Sequence, residues 1–211
     1  MPASNLPSDI EVDIIAVGSG MGASCVALAA QAQGLETIIL EKSAVFGGGT
    51  TYSYGIVWVG NNHLEQALGI KDSKEDAYDY LHHLAAGHEL ESNLRAYIET
   101  SPEALRFFCD DVRIPFYVVP GFPDYFQGMA PGSLGEGRNL QVSPFEAKSL
   151  GEWHEYLRAA PAVTHRATFE EVAGWGGRAK PQNWDRQLIL ERIERDIRTF
   201  GAGLIGHLMS A

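Results

Sequence analysis

Val12-Asp13-Ile14-Ile15-Ala16-Val17-Gly18-Ser19-Gly20-Met21-Gly22-Ala23 is the key to this 211-residue chain. Its first half is a short β-branched run, the pattern of a buried parallel strand. Gly18 to Ala23 then forms a turn. Ser24 to Gln33 is small and apolar, which suits a helix packed closely on a sheet. Gly34 stands where a helix C-cap belongs, and Thr37 to Leu40 is a second β-branched run. Strand, Gly-rich turn, helix and strand within about thirty residues make one βαβ unit.

The turn Gly18-Ser19-Gly20-Met21-Gly22-Ala23 matches the spacing G-x-G-x-x-G/A. Gly18 permits the tight turn, Gly20 lets a pyrophosphate approach the backbone, and Ala23 allows close helix–strand contact. The helix N-terminus offers free N–H groups and a positive dipole end to phosphates. Glu41 closes the second strand at the offset where an acidic residue accepts hydrogen bonds from ribose hydroxyls. The bland alternative is a Gly-rich turn and a surface glutamate that bind nothing. The segment after Glu41 separates a flavin from a nicotinamide cofactor. Phe46-Gly47-Gly48-Gly49-Thr50-Thr51 is a second backbone-rich loop, able to run along the pyrophosphate and ribityl of FAD. An ordinary flexible surface loop is the alternative there.

Further out, residues 1–10 read as a loosely held tail. The loop from Lys42 to Gly55 leads into a short extended piece, Ile56 to Val59. Asp72 or Ser73 can cap a helix running through Leu84, with Glu75 and Asp76 in its first turn. A helix over Leu94 to Glu99 is expected next, and Pro102 suits the first turn of another through Cys109. Residues 113–151, rich in proline and glycine, read as a long ordered loop of the kind that carries function. Leu188, Leu190, Ile193 and Ile197 suggest one amphipathic helix over Gln182 to Phe200. A further helix starts at Gly201 and runs toward Ala211. There is no internal repeat.

With 45% hydrophobic residues the chain can bury a real core. A net charge of −11 argues against a nucleic-acid surface, which recruits Lys and Arg. No apolar run is long enough for a transmembrane segment, and the N-terminus lacks the basic and apolar regions of a signal peptide. Two cysteines, Cys25 and Cys109, fit a reduced cytoplasmic compartment and give no metal site.

The chain resembles the 3-ketosteroid-Δ1-dehydrogenase branch of the fumarate-reductase-like flavoproteins. The resemblance rests on Asp13-Ile14-Ile15-Ala16-Val17-Gly18-Ser19-Gly20, Leu40-Glu41-Lys42-Ser43, Phe46-Gly47-Gly48, Tyr52-Ser53 and Trp58. It continues in Gly121-Phe122-Pro123-Asp124-Tyr125 and in Gly137-Arg138-Asn139-Leu140 with Pro144-Phe145, and thins after residue 150. The first block is shared by many flavoproteins, whereas Phe-Pro-Asp-Tyr is more specific to the branch. The resemblance implies non-covalent FAD, held by Gly18, Ser19, Gly20, Gly22, Ala23, Glu41, Lys42, Gly47, Gly48, Gly49, Thr50, Thr51 and Ser53. It implies desaturation of a 3-ketosteroid or related cyclic ketone, in which a base removes a proton beside the carbonyl and flavin takes a hydride. Tyr125 maps onto the family tyrosine that assists the base; its alternative is an aromatic that only packs. Gly49 replaces a frequent threonine and Tyr54 a frequent glycine, both in the flavin loop.

The resemblance implies an α/β fold: a Rossmann-like FAD-binding domain of the glutathione-reductase-like, three-layer kind, incomplete, with a helical and loop lid segment. The expected division is a tail over 1–10, the N-terminal part of the FAD-binding domain over 11–112, a substrate lid over 113–181 and a helical segment over 182–211. Relatives are much longer, so the chain is expected to be a fragment, a truncated product or one subunit of a split enzyme. A partner subunit or homo-oligomer would complete the fold. The rival readings are an FAD-dependent enoate or fumarate-type reductase, and a non-catalytic FAD-binding subunit. His63 reads as polar surface rather than a flavin attachment point, and His82, His83 and His88 as a helix face without acidic partners. Asp110 and Asp111 read as a solvated helix end, Arg138 as a surface arginine with contact to flavin phosphate or substrate as the alternative, and Trp153, Trp175 and Trp184 as lid packing.

Overall fold

The structure, a computed structural model, describes residues 9–159 and 166–211. The expected tail therefore lies outside the described residues through residue 8, as does the part of the expected lid over 160–165.

Strand β1 (Ile14–Val17) and strand β2 (Thr37–Leu40) pair in parallel, Ile14 opposite Thr37 and Val17 opposite Leu40. Between them runs helix α1 (Met21–Gln31). It begins three residues before Ser24, because the glycines of the turn already take helical bonds: Ser24 N–H reaches the Gly20 carbonyl at 3.1 Å. The helix ends as the sequence suggests, with Gly34 at φ +76° and Leu35 N–H closing on the Ala30 carbonyl. One face of the pair is covered by α1. On the other, Val17 is 82% exposed and Ile15 59%.

A 3₁₀ turn at Gly48–Tyr52 precedes the short strand β3 (Val57–Trp58). Helix α2 (His63–Ala67) is held by a full capping box, Asn62 and Glu65 each bonding the other's backbone N–H. Helix α3 (Lys74–Ala85) starts on a Ser73 cap, and its acidic first turn complements the dipole. Helix α4 (Glu91–Arg106) corrects the expectation of two helices, since Pro102 lies inside it. Ile98 and Leu105, seven residues apart on one face, are both buried. Breaking the helix at Pro102 would unseat that face. The last turn then widens, Val112 N–H reaching back five residues to the Phe107 carbonyl.

The stretch read as a long loop holds three strands instead. Strands β4 (Phe116–Val118) and β5 (Asn139–Val142) pair antiparallel, and β3 adds to the other side of β5. The prolines fall at strand borders, Pro115 and Pro120 around β4 and Pro144 after β5, where no ladder N–H is needed. Strand β6 (Phe145–Glu146) comes next, and later helix α5 (Phe169–Gly174) starts on a Thr168 capping box.

The single helix expected over Gln182 to Phe200 is divided. Helix α6 (Arg186–Glu194) stops where Asp196 takes φ +55°, and strand β7 (Ile197–Arg198) pairs with β6. The Asp196 carboxylate accepts from Arg166 and Arg198, which holds it in that strained conformation. Leu190 and Ile193 remain exposed, so the apolar periodicity there reflects no packed face. Helix α7 (Phe200–Ser210) is the core element, buried from Phe200 through Gly206. Leu204, Ile205 and Leu208 meet Phe46, Val142, Phe145 and Leu157 in the main hydrophobic cluster. No described helix is long and apolar enough to cross a membrane.

Candidate functional site

The turn between β1 and α1 is built as an anion cradle. Gly18 holds φ +94°, open to glycine and strained for other residues. Met21 N–H donates to Thr50 Oγ1 at 3.0 Å. The neighbouring amides of Gly20, Gly22 and Ala23 find no acceptor among the described residues. A Cβ on Gly22 would meet nothing within 4 Å. Glycine costs a helix about 1 kcal/mol relative to alanine, and no described residue needs the space it leaves. The opening faces outward, at the positive end of α1.

The second loop is seated directly on the first. Gly48, at φ +53°, would place a Cβ 3.3 Å from Gly20 Cα and N, so the two glycine turns touch backbone to backbone. Ser19, buried between them, donates its hydroxyl to Glu41 Oε2 at 2.5 Å and accepts from Gly47 N–H at 2.9 Å. Glu41 also accepts from Ser19 N–H at 3.1 Å and, through Oε1, from Ser43 N–H at 2.9 Å. Chiefly the Ser19 hydroxyl, then the Ser43 amide, hold the Glu41 carboxyl below its usual range and keep it ionised. Thr51 is buried and donates to the Gly48 carbonyl; Ser53 caps the turn through the Thr50 carbonyl at 2.7 Å. Gly49 lies within this turn, and Lys42 follows Glu41 in the chain. Arg158 reaches in from the far side, donating to Ser43 Oγ at 2.8 Å.

Helix α7 braces the loop from below, which sequence reasoning missed. A Cβ on Gly201 would overlap the Thr50 carbonyl, and Gly201 N–H donates to the Ser53 carbonyl at 3.2 Å. A Cβ on Gly206 would overlap the Phe145 ring. The run Gly201-Ala202-Gly203 with Gly206, small residues in an apolar helix, was the available signal.

A second centre lies among α3, β5 and the Phe122–Tyr125 segment. Arg138, read from sequence as a surface residue, is 1% exposed. Its Nε and Nη2 donate to Asp72 at 2.8 and 2.6 Å, and Nη1 donates to Asp124 at 2.9 Å. Asp124 also accepts from the Trp58 indole at 2.7 Å and from Leu134 N–H at 2.9 Å. The correction has a physical reason: a guanidinium can be buried once several charge-assisted hydrogen bonds replace its water. The Gly137–Leu140 and Phe122–Tyr125 motifs are thereby one structural unit, while Tyr125 itself projects outward at 79% exposure.

Tyr125 lines a cavity of about 490 Å³ together with Tyr54, Phe122, Phe169, Arg178 and Phe200. Tyr54 turns its ring edge-on to Phe169 and Phe200, so the bulk that replaces a glycine fills this wall rather than the glycine cradle. Tyr54 and Phe200 are the chain neighbours of Ser53 and Gly201, so the cavity abuts the braced loop.

The remaining candidates are accounted for by local structure. His63 opens α2. His82 gains the acidic partner its spacing lacked, Nδ1 meeting Glu89 at 2.5 Å, but Glu91 beside them is already engaged by Tyr78 and Arg95. Asp110 and Asp111 lie in the widened turn after α4. Trp175 and Trp184 pack on each other, and Trp153 lies against Tyr156. Burial pushes the Cys25 and Cys109 thiols up to about 11.

The FAD binding domain family matches residues 13–186. This chain belongs to the FAD-binding-domain family. The 3-oxosteroid 1-dehydrogenase of Mycobacterium tuberculosis is 36% identical over 141 residues, which is 67% of this chain and 25% of that protein. The 4-oxocyclohexanecarboxylate 2-dehydrogenase of Sinomonas cyclohexanicum is 28% identical over 200 residues, 94% of this chain and 34% of the relative. Among solved structures, the 3-ketosteroid Δ1-dehydrogenase of Sterolibacterium denitrificans superposes with a TM-score of 0.80 at 31% identity. That match covers 94% of this chain and 38% of the other. The FAD-binding chain thus spans a quarter to a third of the curated relatives it matches. FAD is the group the family implies, and the residues present fit it. Three unpartnered amides and the empty space over Gly22 suit a pyrophosphate.

Proposed function

We propose that this chain supplies the ADP and pyrophosphate side of the FAD site, and part of the substrate wall, in a dehydrogenase that desaturates a cyclic, steroid-like ketone. The carrying observation is the cradle, with unpartnered amides at Gly20, Gly22 and Ala23 beside a braced second glycine loop. The oxidoreductase class of the relatives supports the reading.

Gly20, Gly22 and Ala23 bind the pyrophosphate through backbone N–H groups, and the α1 dipole adds attraction. Glu41, kept ionised, accepts from ribose hydroxyls, and Lys42, Gly47, Gly48, Gly49, Thr50, Thr51 and Ser53 run along the cofactor. The chemistry the bound flavin supplies is acceptance of a hydride from the carbon next to the deprotonated one. Tyr125, in the cavity lining, would assist the base that takes the proton from the carbon beside the carbonyl. The apolar walls Phe122, Phe169 and Phe200 exclude water from the ring system. The motif reading divides the chain at residues 10, 112 and 181, with the lid over 113–181.

The same reading has a partner subunit or a second copy complete the parallel sheet at its edge and cover the exposed Ile15 and Val17 on its face, and gives the protein a cytoplasmic location. The deciding experiment is an absorbance spectrum of the purified chain with FAD, its native mass, and dehydrogenation of cyclic ketones with an artificial electron acceptor. Flavin bands are expected, with turnover once the native mass shows the completed complex. A chain that takes up no FAD at any mass would overturn the proposal.

A further inference from the structure

The cavity beside Tyr125 has a lining of aromatic and aliphatic side chains with one charged member, Arg178. Its position is built rather than incidental. Helix α5 ends in a turn with Gly176 at φ +95° and Gly177 at φ +84°. Gly177 N–H closes on the Val172 carbonyl at 2.8 Å, and the Trp184 indole donates to the Gly177 carbonyl at 3.2 Å. That pinned turn delivers Arg178, whose guanidinium carbon lies 4.8 Å from the Tyr54 ring centre. The stacked face is satisfied by the ring, while the N–H edges stay available.

Acids on the flanking segments are engaged elsewhere, Asp185 by the Leu188 N–H at 3.0 Å as the cap of α6. Glu171 accepts from both terminal nitrogens of Arg192, at 2.6 and 2.7 Å. Arg166 and Arg198 share Asp196. Among the described residues no carboxylate lies within ion-pair distance of Arg178. In a chain of net charge −11, a cation left without an acid at the edge of an apolar cavity is set up for an anion from outside. The planar fork of arginine matches a carboxylate bidentately.

We infer that the occupant of this cavity is a cyclic ketone carrying a carboxylate, which Arg178 receives while the ring lies against Tyr54, Phe122 and Phe169. The inference rests on the dehydrogenase reading for what the cavity holds, and it narrows that substrate from a neutral steroid-like ketone to a keto acid. A volume of about 490 Å³ admits either, so the charge decides.

The test is calorimetric titration of the FAD-supplemented full chain with 4-oxocyclohexanecarboxylate, with its methyl ester, and with a neutral 3-ketosteroid. The keto acid is expected to bind about tenfold or more tightly than its ester. Arg178→Gln should abolish that preference, and Arg178→Lys should keep part of it. Arg178 is exposed on a surface turn, and near-ultraviolet circular dichroism will verify that the variants fold. An ester or steroid bound as tightly as the acid, a preference that survives Arg178→Gln, or no binding of the acid would each overturn the inference. Flavin absorbance of the same samples separates the two ideas. Acid binding through Arg178 without flavin leaves the inference standing and the dehydrogenase reading broken. Flavin with turnover of the neutral steroid, and no preference for the acid, does the reverse.

Discussion

Arg138 and Asp124 form a buried ion pair, Nη1 to Oδ2 at 2.9 Å, with side chains 0% and 1% exposed. The pair joins the two motifs behind the cavity, and Asp72 completes it from the start of α3 at 2.6 Å. Trp58 and Tyr80 lie 5.3 and 5.8 Å from the guanidinium and exclude water from it. Tyr125, next in sequence to Asp124, is therefore anchored through its neighbour's carboxylate.

Removing the cation should be costly. Arg138→Met leaves Asp72 and Asp124 buried without their partner, and about 3–5 kcal/mol of stability should be lost. Urea denaturation followed by tryptophan fluorescence measures it. A loss near zero would mean the carboxylates regain water or protons without strain.

Stability should depend on the protonation of Glu65. Burial, and then the charge of Asp72, push the Glu65 carboxyl up to about 8. A protonated Glu65 can donate to Asp72 instead of repelling it. A raised folded-state pKa means the contribution is complete below the ordinary value of 4.5, declines as pH rises, and is gone above about 8. Asp72, held down by Arg138 against the effect of its own burial, acts in the opposite sense and only below 3.8. Thermal melts of the wild type should fall between about pH 5 and pH 8. Glu65→Gln, which can still donate to Asp72, should flatten that decline.

Gly22→Ala separates folding from cofactor binding. No described residue approaches the new methyl, so stability should hold or rise by about 0.5–1 kcal/mol. FAD affinity should nevertheless fall, because the methyl occupies the approach to the cradle. Equilibrium dialysis against FAD and a melting curve on the same sample check both halves.

Gly201→Ala should cost stability as well as cofactor binding. The added methyl would overlap the Thr50 carbonyl, a backbone atom that cannot swing away. Overpacking of this kind costs about 1–3 kcal/mol. The displaced Gly48–Ser53 turn should also release FAD more readily than the wild type, as a dissociation-rate measurement will show.

Much of the fold was legible because its causes are local. The β-branched run before Gly18, the small-residue helix after it and Thr37–Leu40 identify the βαβ unit within a few residues of its true bounds. Turn chemistry likewise marks Gly34 and Ser73. The family resemblance was carried by contiguous motifs, all of which lie within the family match over residues 13–186.

Other features have long-range causes and became visible only on folding. Arg138 and Asp72 stand 66 residues apart, and nothing in Gly137–Leu140 announces that its arginine is buried. Pro102 stays inside α4 because Ile98 and Leu105 are buried together. Asp196 breaks an apolar periodicity because Arg166 and Arg198 hold its carboxylate. Arg178 enters the cavity wall through a turn pinned by Trp184. Periodicity and turn chemistry report on neighbours a few residues away, and that range was enough to define the cofactor unit from the amino-acid order. Burial of charge depends on partners that the folded chain alone assembles, so the ion-pair network, the brace from α7 and the cavity belong to the three-dimensional arrangement.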